Sequence, residues 1–402
     1  MNIKKQNLNL YIIAQCLVMF NLYLCCLQIF STKLVFYSYM LIGIAVLLFI
    51  LSGVYKTFKF TTIPVLFIIL FGYMVFTDVV NSNFSNFDCY MHIGCFLLCF
   101  FFSFFINNKA DNENALNYIL WTCLISSTLM SLLSIPNLFI PDSDLSGITY
   151  NRNTLAACSC VSLFASYWLF RVKDKLSIKN LIIVLATIIN VYTIIKTKSR
   201  TPLTVIAAFV FVMFFYYAFF VFAKKYNKTL VFIIFAILLI LFCGVILAFI
   251  IQRNSYDNQG SLRNIINRIS SGRLAIWEEC FKLIGENPIT GVNNDVFRQR
   301  MIDVFDHYMY QHNLYIALMT IHGIPSLIIY SVIIIYSLSS GIKNIFKNND
   351  NSERKKNFFY LAVLLGILVG DLFECYTFVS YIPFGYLIFL MYESIESTRL
   401  SK

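Results

Sequence analysis

Long apolar runs that follow one another along the chain constrain this sequence more than any other feature. A run of roughly 17–25 apolar residues is long enough to cross the hydrocarbon core of a bilayer as an α-helix. About twelve such runs occur, at residues 9–30, 34–55, 61–80, 88–106, 115–135, 153–171, 178–196, 201–223, 229–251, 312–338, 357–374 and 377–394. The predicted fold is an all-α integral membrane protein, in which residues 1–402 form one polytopic membrane domain.

Composition supports this fold class. The chain is 59% hydrophobic and 13% charged, with a mean hydropathy of +0.74, whereas a soluble core of this length needs a more polar shell. The net charge of +11 is spread between the apolar runs, which argues against nucleic acid as a partner. Most of the twelve cysteines fall inside apolar runs without ligand-like spacing, so we interpret them as small core side chains.

The distribution of lysine and arginine predicts the orientation, because cytoplasmic loops carry an excess of both. If the N-terminus is cytoplasmic, every predicted inner segment contains a cation. The first run follows Lys4 and Lys5 and is too long for a cleaved signal, so we expect it to remain as a span. Both termini are predicted to be cytoplasmic. The short outer segments carry only Lys33, Arg152, Lys196, Lys198 and Arg200.

The polar segment 253–311, between predicted spans nine and ten, is then a large external loop. Within it, Leu274, Trp277, Phe281 and Ile284 recur at helical spacing and predict a short amphipathic helix. Its apolar face could lie on the membrane surface or on the helix bundle. We expect Ser271 to cap the helix and Asn287-Pro288 to follow its end. Arg273 would then lie in the first turn, where its guanidinium and free backbone N–H groups can bind one anion.

Other polar residues are predicted at the same face. His312, followed by Asn313, begins a span, and a histidine there can accept a proton near neutral pH. His307 is a weaker alternative, and His322 is expected to have a packing or polar-network role. Asp371 and Glu374 lie at the outer end of a span, where a carboxylate is costly unless it orients a base or binds sugar hydroxyls.

Four aromatic residues of the outer segment, Trp277, Tyr308, Tyr310 and Tyr315, could stack on sugars, although tyrosine and tryptophan are also common at membrane interfaces. The sequence contains no Walker loop, nucleophile elbow or HExxH motif. We therefore predict neither a metal site nor a cofactor.

Several short motifs occur in a fixed order. They are NRN (Asn151–Asn153), SRTPL (Ser199–Leu203), GR-x3-W (Gly272–Trp277), NPITGV (Asn287–Val292) and HN-x-Y with a downstream HGIP (His312–Pro325). In this order, and with about twelve spans, they resemble the O-antigen ligase/polymerase superfamily of bacterial membrane proteins. The SR pair is followed by Thr201, where many relatives have a small residue such as glycine.

The resemblance implies a GT-C-like membrane glycosyltransferase of the bacterial cytoplasmic (inner) membrane, acting on its external or periplasmic face. Its donor would be an oligosaccharide linked to undecaprenyl pyrophosphate. Arg200 and Arg273 would bind the pyrophosphate, and His312 would act as general base. We also expect substrate contacts from Arg152, Asn153, Lys198, Trp277, Asn313, Asp371 and Glu374.

Three functions are compatible with these features. A polymerase would join lipid-linked repeat units into O-antigen, capsule or exopolysaccharide, beside a flippase and a chain-length regulator. A ligase would move the finished glycan onto lipid A core, in lipopolysaccharide biosynthesis, or onto a protein. A transporter or flippase of lipid-linked glycans is the alternative from another class, although internal repeats and midplane charges, which transporters tend to have, are not evident.

Overall fold

The computed structural model describes residues 5–29, 35–57, 60–82, 87–104, 109–138, 146–149, 151–170, 177–222, 272–348, 350–375, 377 and 383–400. Its helices are α1 (Lys5–Cys25), α2 (Val35–Ser52), α3 (Thr62–Val80), α4 (Phe87–Ser103), α5 (Lys109–Leu138), α6 (Arg152–Leu169), α7 (Ile178–Thr197), α8 (Thr201–Tyr216), α9 (Arg273–Glu286), α10 (Asn294–Phe305), α11 (Leu314–Lys347), α12 (Asn351–Gly370) and α13 (Pro383–Leu400). A 3₁₀ turn, Val54–Thr57, follows α2, and a π-helical turn, Tyr217–Phe222, extends α8.

The described helices confirm an all-α protein of membrane type. Helices α1 to α8 and α11 to α13 coincide with predicted spans, whereas the predicted span 229–251, Ser271 and the first part of the polar segment lie outside the described residues. Among the described residues, six helices are long and apolar enough to cross a membrane: Gln6–Cys25, Thr62–Val80, Asp111–Asn137, Ile178–Thr197, Thr201–Val221 and Leu314–Lys347. The total of twelve spans stays a prediction.

Several of the other helices are less apolar because they are enclosed by protein. Every residue of α13 from Pro383 to Thr398 is buried, and this helix packs against α4, α5, α11 and α12. Helix α6 buries Ser159, Ser162 and Ser166. Hydroxyl-bearing side chains are tolerated inside a membrane bundle because neighbouring helices supply hydrogen-bond partners. By contrast, only 33% of the apolar window of α7 is buried within the protein.

The polar segment forms a small second core over the bundle. Helices α9 and α10 bury Ile276, Leu283, Phe297 and Met301 together with Ile316 of α11. The predicted apolar face of α9 is therefore buried only in part: Ile284 is buried and Trp277 packs against the second core, whereas Phe281 is 55% exposed. The buried face of α9 is set by tertiary contacts with α10 and α11, and the helical spacing of α9 alone does not reveal where those helices lie.

Close backbone contacts at two glycines, Gly291 and Gly323, attach this segment to α11. The helix is interrupted at Gly323 (φ 77°, ψ 169°), and the Ile324 N–H donates to the Pro288 carbonyl at 2.8 Å. A Cβ at Gly323 would lie 1.8 Å from the Ile289 carbonyl oxygen, and one at Gly291 would lie 2.4 Å from the Ile321 carbonyl. Only glycine permits backbones to approach this closely in such a conformation.

Side chains of α3 hold the same turn from the other side. The Tyr73 hydroxyl donates to the Ile289 carbonyl, and the Asn81 amide donates to the Thr290 carbonyl at 2.9 Å. The buried His322 lies 2.7 Å from the Thr77 hydroxyl, in agreement with the polar-network role expected for it. The turn 287–292 is thus fixed between α3 and α11.

We expect Gly323→Ala to weaken this attachment. The backbone conformation alone should cost about 1–3 kcal/mol for a residue with a side chain, and the clash with Ile289 adds to that. The measurement is limited proteolysis of segment 272–311 in the purified protein. Gly285→Ala is the matched control, because no atom lies within 4 Å of a Cβ built there. Equal protection of the two variants would contradict the structural role of Gly323.

Candidate active site

The carboxylate of Glu374, just after α12, joins four parts of the chain. Its Oε1 accepts hydrogen bonds from Arg273 Nη2 at 2.9 Å and from Asn153 Nδ2 at 2.7 Å. Its Oε2 lies 3.0 Å from His312 Nδ1. The Ser199 hydroxyl in turn donates to Asn153 Oδ1 at 2.8 Å. We call Asn153, Ser199, Arg273, His312 and Glu374 the Glu374 cluster.

Arg273 is positioned by the start of α9. Gly272 adopts a left-handed conformation (φ 84°) and precedes the helix, so that Arg273 is its first residue, as predicted. The guanidinium also donates through Nη1 to the Phe373 carbonyl. A guanidinium has five N–H donors, and these two contacts leave the others available for an anion. The Arg273 side chain is 15% exposed, so the site is partly shielded from water.

His312 is placed by an unusual backbone conformation. Its φ is 49°, in the left-handed region where histidine is one of the enriched residues. The helix begins at Leu314, with Asn313 as its cap, two residues after the predicted start of the span. The turn before the helix lets the imidazole contact Glu374 instead of lying along the helix surface.

The hydrogen-bond partner of His312 determines which ring nitrogen carries the proton. An ionised carboxylate only accepts hydrogen bonds, so Nδ1 carries the proton and Nε2 is left to accept one. The His312 side chain is 33% exposed, so a substrate hydroxyl can reach it. A carboxylate in this position can also stabilise an imidazolium, as an orienting carboxylate does in other base-carboxylate pairs.

The exposed cations lie beside the cluster. Arg200 is exposed at the start of α8, directly after the buried Ser199 that contacts Asn153. Lys198 is exposed in a left-handed conformation at the end of α7. Arg152 is the exposed first residue of α6, next to Asn153. Chain connectivity therefore places three of the predicted site residues next to members of the Glu374 cluster.

Other predicted site residues have internal partners. The Trp277 indole donates to the Gln311 carbonyl at 2.8 Å. Asn313 Oδ1 accepts from the Ile316 N–H at 3.0 Å, and its Nδ2 donates to the Leu372 carbonyl at 3.0 Å. These contacts fix the segments before and after His312. The geometry thus favours a positioning role for Trp277 and Asn313, while direct substrate contact by either stays a prediction.

Asp371 does not fit the predicted contact with substrate. Its residue is fully buried, at 0% exposure, and its carboxylate accepts hydrogen bonds from the Thr377 hydroxyl and, at 3.3 Å, from the Thr377 N–H. Its backbone carbonyl accepts from the Leu314 N–H at 2.8 Å. Asp371 therefore ties the end of α12 to the start of α11, which carries His312 just before it.

Sequence reasoning did not identify Ser199 and Gln311 as positioning groups. Ser199 lies in the SRTPL motif, beside Arg200, but nothing in that motif indicates that its hydroxyl contacts Asn153. Gln311 precedes His312 and contributes a backbone carbonyl, which no residue type signals. His307, the weaker alternative to His312, is exposed in the turn after α10, whereas it is His312 that contacts Glu374.

We predict that Glu374→Gln lowers glycan output roughly ten- to hundredfold, because hydrogen bonds to charged groups contribute about 1.5–3 kcal/mol. The measurement is surface glycan in complemented cells, normalised to the amount of protein in the membrane. Glu286→Gln is the matched control. Glu286 pairs with Arg300 at 2.7 Å with both side chains over one-third exposed, and such surface pairs contribute little.

A double variant tests whether Glu374 acts through His312. If it does, adding Glu374→Gln to His312→Ala should reduce glycan output little further, because the effects of substituting two interacting residues are not additive. Independent, multiplicative losses measured in a sensitive in vitro transfer assay would contradict that coupling.

A comparison with protein families bears on the same residues. Residues 182–331 match a sequence model of the family described as O-Antigen ligase. This range includes Arg200, Arg273 and His312, and it extends from α7 into α11. No curated protein matches the chain. Over residues 182–331 the chain is therefore similar to this family, and the match supports the resemblance to the O-antigen ligase/polymerase superfamily.

Proposed function

We propose that the protein is a polysaccharide polymerase. It transfers a glycan from undecaprenyl pyrophosphate to the next lipid-linked repeat unit, on the external face of the bacterial cytoplasmic membrane. The observation that carries the proposal is the Glu374 cluster, in which one carboxylate holds both an arginine suited to a pyrophosphate and a histidine suited to a hydroxyl. The match to the O-antigen ligase family supports the substrate class.

The donor side of the reaction requires positive charge. As the bond between the anomeric carbon and the pyrophosphate oxygen breaks, the electron pair moves to that oxygen and negative charge grows on the leaving group. Arg273, held in place by Glu374 and the Phe373 carbonyl, stabilises this charge without reorganising. Arg200, exposed beside the cluster, supplies the second guanidinium, and Arg152 and Lys198 add to the positive field.

The acceptor side requires a base. His312 Nε2 takes the proton from the acceptor hydroxyl while that oxygen forms the new bond to the anomeric carbon. Glu374 orients the imidazole through Nδ1 and balances the positive charge that the ring acquires. The products are the extended glycan on the acceptor lipid and free polyprenyl pyrophosphate. The activated donor drives the transfer, so the proposal includes neither a metal ion nor a cofactor.

A ligase is the second candidate, and the description of the matched family, O-Antigen ligase, favours it. The same cluster would serve that reaction, since only the acceptor differs. The polymerase is preferred because the resemblance rests on short motifs, as expected for the divergent polymerases. A flippase and a chain-length regulator are the partners expected beside a polymerase.

The test is a cell lacking this gene, complemented with the wild-type chain or with His312→Ala or Arg273→Lys. For a polymerase, we expect the cells lacking the gene to carry only single repeat units on their surface, and we expect neither variant to restore long glycan. Arg273→Lys should fail because lysine lacks the bidentate fork of arginine. Full-length polymer stranded on its lipid carrier would indicate a ligase. Repeat units trapped on the inner face would indicate a flippase and contradict both enzymes.

The proposed orientation has its own test. Val304, which is 46% exposed in α10, and Ser352, exposed at the start of α12, are both replaced by cysteine. We expect a membrane-impermeant maleimide to label Val304→Cys in intact cells and Ser352→Cys only after lysis. The wild-type chain gives the baseline, and burial raises the pKa of its Cys280 thiol to about 12, which keeps that thiol protonated at neutral pH. The reverse pattern would overturn the orientation.

A further inference from the structure

We propose that Tyr310 is the platform on which the acceptor sugar stacks, with its ring face against the ring that carries the attacking hydroxyl. This inference rests on the proposed glycosyl transfer and adds a sugar-binding subsite to it. The ligand class is a pyranose or similar ring of a lipid-linked oligosaccharide.

Exposure separates Tyr310 from the other aromatic residues of the outer segment. Tyr315 donates its hydroxyl to the Leu368 carbonyl at 2.8 Å, and Trp277 is engaged by the Gln311 carbonyl. Tyr308 packs against the second core. Tyr310 is 56% exposed, so it presents a ring face to a ligand.

The position of Tyr310 fits the acceptor rather than the donor. Its ring centroid lies 6.5 Å from that of the His312 imidazole, with 73° between the two planes. A sugar ring stacked on the tyrosine would therefore lie close to the imidazole. The aliphatic C–H groups of a sugar face complement the negative π-face of an aromatic ring, while the sugar hydroxyls remain free at the edge.

The platform is held in place before any ligand binds. Tyr310 stands edge-to-face against Tyr308, with ring centroids 4.6 Å apart. Tyr308 is itself covered by the Arg298 guanidinium at 5.7 Å and contacts the buried Phe297 at 6.2 Å. The Trp277 bond to the Gln311 carbonyl fixes the residue between Tyr310 and His312. A tyrosine ring that is already restrained by its neighbours loses little conformational entropy when a ligand binds to it.

The alternative explanation is that Tyr310 only anchors the protein at the membrane interface, where tyrosine is common. Tyr37, in the first turn of α2 on the predicted outer face, is 51% exposed and serves as the matched control. An anchoring role would make changes at Tyr310 and Tyr37 act alike on the amount of protein in the membrane.

The experiment uses membrane vesicles containing the full chain. The probe is the lipid-linked repeat unit extracted from cells that lack this chain, titrated as acceptor against a fixed, saturating amount of lipid-linked polymer as donor. We expect Tyr310→Ala to raise the acceptor KM roughly three- to tenfold, the effect of losing one aromatic contact, with kcat little changed. Tyr310→Phe should behave as wild type, because stacking needs the ring and not the hydroxyl. Tyr37→Ala should leave both constants unchanged.

The outcomes separate this inference from the proposed function. If His312→Ala abolishes transfer while Tyr310→Ala has a wild-type KM, the proposed function stands and the platform is overturned. Equal loss of membrane-inserted protein for Tyr310→Ala and Tyr37→Ala also overturns it, in favour of anchoring. If His312→Ala retains full transfer, the proposed function fails first, and the acceptor subsite fails with it.

Discussion

One partly buried carboxylate holds the candidate site together. The Glu374 side chain is 14% exposed, and a carboxylate that has lost most of its water must be compensated by partners. Arg273, Asn153 and His312 provide them from three different helix ends. The same carboxylate therefore restrains the outer segment, orders the start of α11 and fixes the tautomer of the imidazole.

The bundle beneath the site contains two kinds of helix. Helix α13 is buried on all sides and carries Glu393, Glu396 and several hydroxyl-bearing residues, with Glu396 paired to Arg399 at 3.0 Å. Helices such as α7 are apolar and largely exposed. This division follows from the solvent, because lipid offers no hydrogen bonds and neighbouring helices do. A rigid interior of this kind holds the helix ends that carry the site.

The site divides the proposed chemistry between fixed parts. Arginines stabilise the departing pyrophosphate, a histidine–carboxylate pair activates the acceptor, and an exposed tyrosine beside the histidine holds the sugar. Backbone contacts help to fix Arg273 and the segments on either side of His312. The Phe373, Gln311 and Leu372 carbonyls accept hydrogen bonds from Arg273, Trp277 and Asn313. Such preorganisation is what lowers the cost of charge separation in a transferase.

The sequence by itself determined the fold class, because apolar run length dictates helices in a membrane. It also indicated Arg273 at the start of a helix, through turn residues and helical spacing, and it identified Arg200 and His312 through short motifs. The tertiary structure decided the rest. The buried face of α9, the enclosure of Asp371, the role of Asn153 between Ser199 and Glu374, and the contact between Gly323 and Ile289 all depend on residues far apart in the chain. Local patterns report which helix a residue belongs to, but which side chain it meets is set only when the helices pack.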